Sequence, residues 1–181
     1  QEMSRGLGDV YKRQIESSQH EYPLIYPEDG WVEIDPQVLM DSVIKSLNDI
    51  NKDDIELISI TNQRETTIVW EKQSGNPIYN AIVWQDRRTS QYCESIRSDD
   101  LEKNIQDKTG LILDPYFSAT KIKWILENVS GAKEKAANGE LCFGTVDTYL
   151  MYKLSEGKIF KTDITNASRT CLLYTSDAAD E

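Results

Sequence analysis

Arginine, glutamate and tryptophan side chains fall close together between Thr61 and Arg88, and these residue types suit a small, neutral, hydroxyl-rich ligand. Arg64 and Glu65 follow one apolar run, and Trp84 lies in a later one. Arginine offers a rigid fork of donors, glutamate offers acceptors, and indole offers a flat face for C–H bonds with one N–H donor. On residue type alone, a surface ion pair and a core tryptophan are the commoner interpretation.

Four segments of the chain resemble the N-terminal domain of the glycerol kinase family, which belongs to the sugar and polyol kinases. They are ITNQRETTIVW (60–70), NAIVWQDRRT (80–89), DPYFSATKIKWIL (114–126) and FGTVDTYL (143–150). The W-x-D-x-R element of Trp84, Asp86 and Arg88 is similar to one shared widely among those kinases. The N-Q-R-E-T run at 62–66 is more specific to the glycerol enzymes. The similarity spans residues 15–170, with the motifs in family order.

This resemblance implies both a fold and a binding site. The expected fold is α/β: a partial ribonuclease-H-like (actin-like ATPase) domain, a mixed sheet with flanking helices whose first strands are missing. Arg64 and Glu65 are expected to hydrogen-bond the hydroxyls of glycerol, Trp84 to pack against its carbon chain, and Tyr116 to supply a phenolic hydroxyl. Tyr116 follows a proline and has packing of the linker as its alternative role. Asp86, Arg87 and Arg88 are expected to have structural roles. Asn166 and Arg169, in the segment TNASRT (165–170), also resemble a family motif but are assigned no catalytic role.

The same resemblance implies that the whole protein transfers the γ-phosphoryl group of ATP to glycerol with the help of Mg²⁺. In the family, the aspartate base follows the region matched here and the phosphate-binding hairpin precedes it. We therefore assign no catalytic, cofactor-binding or metal-binding residue within the chain, and expect the chain alone to be inactive. A homo-oligomeric whole protein is also expected. Two alternatives stay open: a sibling sugar or polyol kinase, and a non-catalytic binding module.

The two ends resemble translated sequencing-adapter DNA rather than protein. The codons that would encode SRGLGDVYKRQ (4–14) match a transposase-type adapter, and those for CLLYTSDAADE (171–181) begin with its reverse complement. We therefore predict that residues 1–14 and 171–181 are adapter-derived and that residues 15–170 form the partial kinase domain.

Composition excludes several other classes of protein. The formal net charge of −11 argues against nucleic acid or an anionic membrane as the partner, because both attract basic surfaces. No apolar run is long enough to span a membrane and no secretory signal is visible, so a cytoplasmic location is expected. Cys93 and Cys142 have no C-x-x-C spacing and are expected to be buried, reduced thiols. His20, the only histidine, disfavours a histidine-dependent hydrolase and is expected on a surface strand.

The elements that must position these residues alternate between strands and helices. Strands are predicted at 15–22, 56–61, 66–71, 81–84, 143–145 and 158–162, with turns at 26–30 and 75–77. Asp35 followed by Pro36 predicts a helix start. Further helices are predicted over 87–107 (in a broken pattern), 122–129, 133–138 and 146–154. The runs at 56–61, 66–71 and 81–84 are expected to be neighbouring strands, with residues 62–65 in a loop that presents binding groups.

Overall fold

The structure is a computed structural model that describes residues 16–53 and 55–172. The predicted adapter-derived ends lie outside this range, apart from Cys171 and Leu172. Within the described residues the elements are, in order, β1 (Glu33–Ile34), α1 (Pro36–Asp49), β2 (Ile68–Glu71), β3 (Ala81–Ile82), α2 (Ser90–Ile96), α3 (Asp99–Thr109), α4 (Ser118–Asn128), α5 (Ala132–Ala137), β4 (Leu141–Gly144), α6 (Val146–Leu154) and α7 (Ile164–Ser168). This confirms the α/β class.

The four strands lie side by side in the order β4, β2, β3, β1. β2 pairs antiparallel with β4, and β3 pairs antiparallel with β1. A single antiparallel bridge between Thr67 and Ile82 joins the two pairs. Because that pairing is antiparallel, the residues just before β2 lie beside the residues just after β3. This register brings Glu65 and Trp84 to the same end of the sheet.

Helices cover both faces of the sheet, as the alternation of side chains along each strand requires. Ile68 and Trp70 of β2 point to one face, where they pack with residues of α1 and α6 around Tyr149. Val69 points to the other face, where it packs with Ile82 of β3 and Ile125 of α4. The core therefore has two layers, one on each face of the sheet, and α4 packs on the face that contains Val69 and Ile82.

Local signals in the sequence account for the helix ends. Asp35 accepts a hydrogen bond from the backbone N–H of Gln37, with Pro36 in the first turn of α1, as predicted. The broken pattern over 87–107 becomes two helices, because Ser98 caps α3 through the N–H of Leu101 at 3.2 Å. α3 ends at Gly110, whose φ of +70° is the left-handed conformation that glycine adopts without strain.

Three predicted strands are wrong within the described residues. The segments 16–22, 56–61 and 158–162 have no strand. A β-branched run forms a strand only when a neighbour supplies hydrogen bonds, and no described strand pairs with these segments. Leu57 is 83% exposed as a result. His20 is therefore in a loop, where it contacts Asp49 at the end of α1 rather than belonging to a strand.

The cysteines agree in part with expectation. All three cysteines are free thiols, but only Cys93 is buried, whereas Cys142 is half-buried. Burial raises the pKa of the Cys93 thiol above its ordinary value. Across residues 16–53 and 55–172, no helix is both long and apolar enough to cross a bilayer.

Candidate functional site

Two turns meet at the end of the sheet and carry the predicted binding residues. Arg64 and Glu65 form the turn that leads into β2, and Trp84 begins the turn that follows β3. The hydroxyl of Thr66 joins them, because it accepts a hydrogen bond from the backbone N–H of Trp84 at 3.3 Å. It also donates to the side-chain oxygen of Gln63 at 2.9 Å. The antiparallel register therefore places the two turns in contact.

Glu65 adopts a backbone conformation that a residue with a side chain rarely takes. Its φ of +63° lies in the left-handed region, which costs a non-glycine residue about 1 kcal/mol or more. Its carbonyl oxygen accepts from the Thr67 hydroxyl at 3.1 Å, the Ser118 hydroxyl at 3.3 Å and the Lys121 ammonium at 3.3 Å. These contacts hold the strained turn in place from β2 on one side and α4 on the other.

The side chain of Glu65 is buried but keeps one oxygen open. The residue is only 3% exposed, and its Oε1 accepts from Nε of Arg169 at 2.7 Å. This ion pair raises the pKa of Arg169 above its ordinary value. Oε2 of Glu65 accepts no hydrogen bond from any described residue, so it remains available to a ligand hydroxyl.

Trp84 and Tyr116 form an aromatic wall beside this carboxylate. Their rings pack edge to face with centroids 5.7 Å apart. Tyr116 belongs to the turn before α4, where its backbone N–H donates to Asp114 at 2.8 Å and its carbonyl accepts from Lys121 at 2.6 Å. Trp84 is 38% exposed, so it is not the core tryptophan that residue type alone would suggest. The structure thus brings Glu65, Trp84 and Tyr116 together.

Lys121 is a member of this cluster that the sequence analysis missed. Its side chain is fully buried, and its ammonium binds the carbonyl oxygens of both Glu65 and Tyr116. Burial lowers its pKa to about 7, although the carboxylates of Asp86 and Glu65 oppose that change. The available signal was its position four residues before the buried Ile125, which puts a lysine on the inner face of α4.

Arg64 lies beside this cluster, on a separate open cavity. Its side chain is exposed and makes no hydrogen bond to the described residues. The cavity has a volume of about 660 Å³ and a mostly polar lining: Ser59, Ile60, Thr61, Asn62, Arg64, Asp163, Thr165 and Asn166. A guanidinium at the rim of such a cavity can donate several hydrogen bonds to a ligand without first breaking any of its own.

A buried carboxylate, Asp147, ties the walls of this cavity together. It accepts hydrogen bonds from Thr162 at 2.6 Å and from the amide of Asn166 at 3.2 Å. Asn62 donates to the Thr145 hydroxyl at 3.0 Å and accepts from the Asp147 N–H at 3.1 Å. The loop that carries Arg64 is therefore fixed to the start of α6 and to α7.

A second buried ion network lies beneath Trp84. Arg88 has no exposed side-chain surface and pairs with Glu33 at 2.7 Å and Asp86 at 2.8 Å. Its guanidinium packs against the rings of Trp31 and Trp124, 3.9 and 4.5 Å from their centroids, and these two rings contact each other edge to face. These contacts fasten β1, the turn after β3 and α4 to one another. In the W-x-D-x-R element, Trp84 is therefore exposed, whereas Asp86 and Arg88 are buried and stabilise the scaffold.

The described residues contain no group of three or more histidine, cysteine, aspartate or glutamate side chains that could hold a metal ion. What the arrangement offers is an open carboxylate oxygen beside two aromatic rings, with the exposed guanidinium of Arg64 on the neighbouring open cavity.

Comparison with known proteins gives one consistent result. The family described as FGGY family of carbohydrate kinases, N-terminal domain, matches residues 6–178. Glycerol kinase from Allorhizobium ampelinum is 54% identical over 91% of this chain and 34% of its own length. Glycerol kinase from Alteromonas mediterranea is 57% identical over 93% of this chain and 36% of its own. The crystal structure of Plasmodium falciparum glycerol kinase with ADP superposes with a TM-score of 0.80 at 36% identity, covering 91% of this chain and 34% of that one.

The fold and the sequence match together define a carbohydrate kinase domain of the ribonuclease-H-like type. The chain belongs to the FGGY family of carbohydrate kinases. It is similar to glycerol kinases and spans about a third of the length of the curated relatives it matches.

Proposed function

We propose that the whole protein is an ATP-dependent glycerol kinase and that this chain carries part of its glycerol site. The observation that supports this most directly is the grouping of Glu65, Trp84 and Tyr116, with one carboxylate oxygen left open beside two aromatic rings. The grouping occurs in a chain 54 and 57% identical to two glycerol kinases.

The chemistry of each side chain fits a three-carbon polyol. The open oxygen of Glu65 accepts a hydrogen bond from one glycerol hydroxyl, and the guanidinium of Arg64 donates to another. The ring of Trp84 packs against the C–H bonds of the carbon chain, while the Tyr116 hydroxyl gives a further polar contact. A buried hydroxyl left unpaired costs about 1–3 kcal/mol, so such a site discriminates against deoxy analogues.

The proposed reaction transfers the γ-phosphoryl group of ATP to a primary hydroxyl of glycerol. Catalysis of this kind depends on positioning, Mg²⁺ and a carboxylate that accepts the hydroxyl proton. We assign these groups to parts of the protein that this chain does not cover, and the contribution of the chain is to bind and orient glycerol. The adapter-derived ends, a homo-oligomeric assembly and a cytoplasmic location remain predictions.

The decisive experiment is to recover the complete reading frame from the parent gene and assay the purified protein. We expect ATP-dependent phosphorylation of glycerol and little activity on a pentulose. Phosphorylation of the pentulose with glycerol ignored would instead identify a sibling sugar kinase. Absence of any kinase activity in the complete protein, with glycerol binding retained, would identify a binding module.

A variant of the complete protein tests the site itself. Arg64→Ala removes charge-assisted hydrogen bonds worth about 1.5–3 kcal/mol, so KM for glycerol should rise by about 10- to 100-fold. Arg97→Ala is the matched control, because Arg97 pairs with Glu94 and Glu102 on α2 and α3 and touches none of the proposed binding residues. An equal effect of both substitutions would contradict the role of Arg64.

A further inference from the structure

We propose that Arg169 is a positioning residue for the polyol site: it fixes the carboxylate of Glu65 so that Oε2 stays directed toward the ligand. This inference rests on the proposed function, because it concerns how the same site binds glycerol. Arg169 lies 104 residues after Glu65, in the TNASRT segment, and the sequence alone assigned it no role in the site.

The first support is the geometry of the ion pair. Nε of Arg169 donates to Oε1 of Glu65 at 2.7 Å, the distance of a charge-assisted hydrogen bond. The Glu65 side chain is 3% exposed, whereas that of Arg169 is 35% exposed. A carboxylate this deeply buried needs a partner, since an unpaired buried charge is strongly unfavourable. Arg169 therefore determines which way the carboxylate points.

The second support is that the guanidinium is itself held in place. It lies over the ring of Phe117 at 5.1 Å and that of Tyr116 at 5.8 Å, within the range of cation–π attraction. The chain beside it is anchored, because the carbonyl of Thr170 accepts from the N–H of Ala119 in α4 at 3.1 Å. The arginine that orients Glu65 thus rests on the same tyrosine that forms the aromatic wall.

The third support is that different residues bind the backbone and the side chain of Glu65. Lys121, Ser118 and Thr67 bind only its backbone carbonyl, and Arg169 is the described residue that binds its carboxylate. Loss of Arg169 should therefore leave the turn in place but free the side chain to reorient. The expected consequence is weaker glycerol binding in a folded protein.

The experiment follows glycerol titration of the ¹⁵N-labelled chain through the amide signal of Glu65 and the indole N–H of Trp84. Arg169→Met should weaken glycerol binding by about 10-fold or more, and Arg169→Lys should recover part of the loss. Arg97→Met is the matched control and should bind like the wild type. In a Glu65→Ala background, Arg169→Met should have no additional effect, because its influence passes through that carboxylate.

Two results would overturn the proposal: unchanged affinity in Arg169→Met, or a loss that persists in full in the Glu65→Ala background, which would mean direct contact with the polyol. A ligand-free measurement separates this from the proposed function. The Nε–H of Arg169 should exchange slowly with solvent in the wild type and rapidly in Glu65→Ala. If the wild-type chain does not bind glycerol, the proposed binding role of the chain fails. The exchange measurement still decides whether Arg169 holds Glu65, and equal exchange rates in the wild type and Glu65→Ala would refute the positioning role.

Discussion

Replacement of Lys121 by methionine should change how the stability of the domain depends on pH. Its ammonium is fully buried under the two site turns, and burial lowers its pKa from 10.5 to about 7. Between these two pH values the unfolded chain binds a proton that the folded chain has released. The free energy of unfolding therefore rises with pH across this window. As pH falls, this stabilisation is lost progressively below 10.5 and is fully lost once pH has fallen through about 7.

The size of the effect follows from the same two values. A fall in pKa from 10.5 to about 7 corresponds to roughly 5 kcal/mol over the whole window, at ~1.4 kcal/mol per pKa unit. Between pH ~7.5 and ~9.5, Lys121 should raise the free energy of unfolding by roughly 2.5 kcal/mol. Other groups titrate in this range in both proteins, so the quantity that isolates Lys121 is the difference between wild type and Lys121→Met.

Urea unfolding of both proteins at several pH values in that window measures this difference. We expect the free energy of unfolding of wild type to gain on that of Lys121→Met as pH rises. Lys123→Met is the control, because Lys123 lies on the same helix with 38% of its side chain exposed and pairs with Glu127. Parallel pH profiles for wild type and Lys121→Met would refute the inference that the ammonium is held in a desolvated position.

Substitutions at three further positions have defined outcomes in the same unfolding assay. Glu65→Gly should be more stable than Glu65→Ala by about 1 kcal/mol, because φ of residue 65 is +63°. A more stable alanine variant would contradict the inference that this turn is strained. Gly144→Ala should cost about 1–3 kcal/mol, because the new Cβ would lie 2.7 Å from Thr148 and 2.9 Å from Trp70; a neutral result would mean that these side chains move aside freely. Arg88→Met should cost about 3–5 kcal/mol, since it removes the cation that two buried carboxylates share. Arg88→Lys should not restore full stability, because an ammonium cannot bond both carboxylates in the fork geometry and pack its flat face on indole; full rescue by lysine would show that charge alone matters there.

Local signals predicted much of the scaffold, whereas long-range pairing determined the rest. The Asp35–Pro36 start of α1 and the end of α3 at Gly110 depend on a few neighbouring residues, and both were predictable. The run 56–61 has strand composition but forms no strand, because a ladder needs a partner that composition does not reveal. Glu65 was identified through motif resemblance.

Arg169 also lies in a segment that resembles a family motif, but its pairing with Glu65 was not predicted, because an ion pair across 104 positions leaves no local pattern. The burial of Lys121 is a similar case. A lysine is normally an exposed residue, and only its fixed spacing from Ile125 along α4 indicates that it faces inward. The residues that hold the site were thus harder to predict than those that form it.

The W-x-D-x-R element shows how scaffold and ligand surface are separated within five residues. Trp84 is 38% exposed at the turn after β3, while Asp86 is 1% exposed and accepts from the N–H of Val32 beside β1 at 2.6 Å. Arg88 completes the buried network beneath. Because Asp86 and Arg88 stabilise the end of the sheet whatever ligand is bound, their pattern suits kinases of different substrate preference. Under the proposed function, selection among polyols comes from groups that reach the ligand, and the strained turn at Arg64 and Glu65 is the element that we propose for this role.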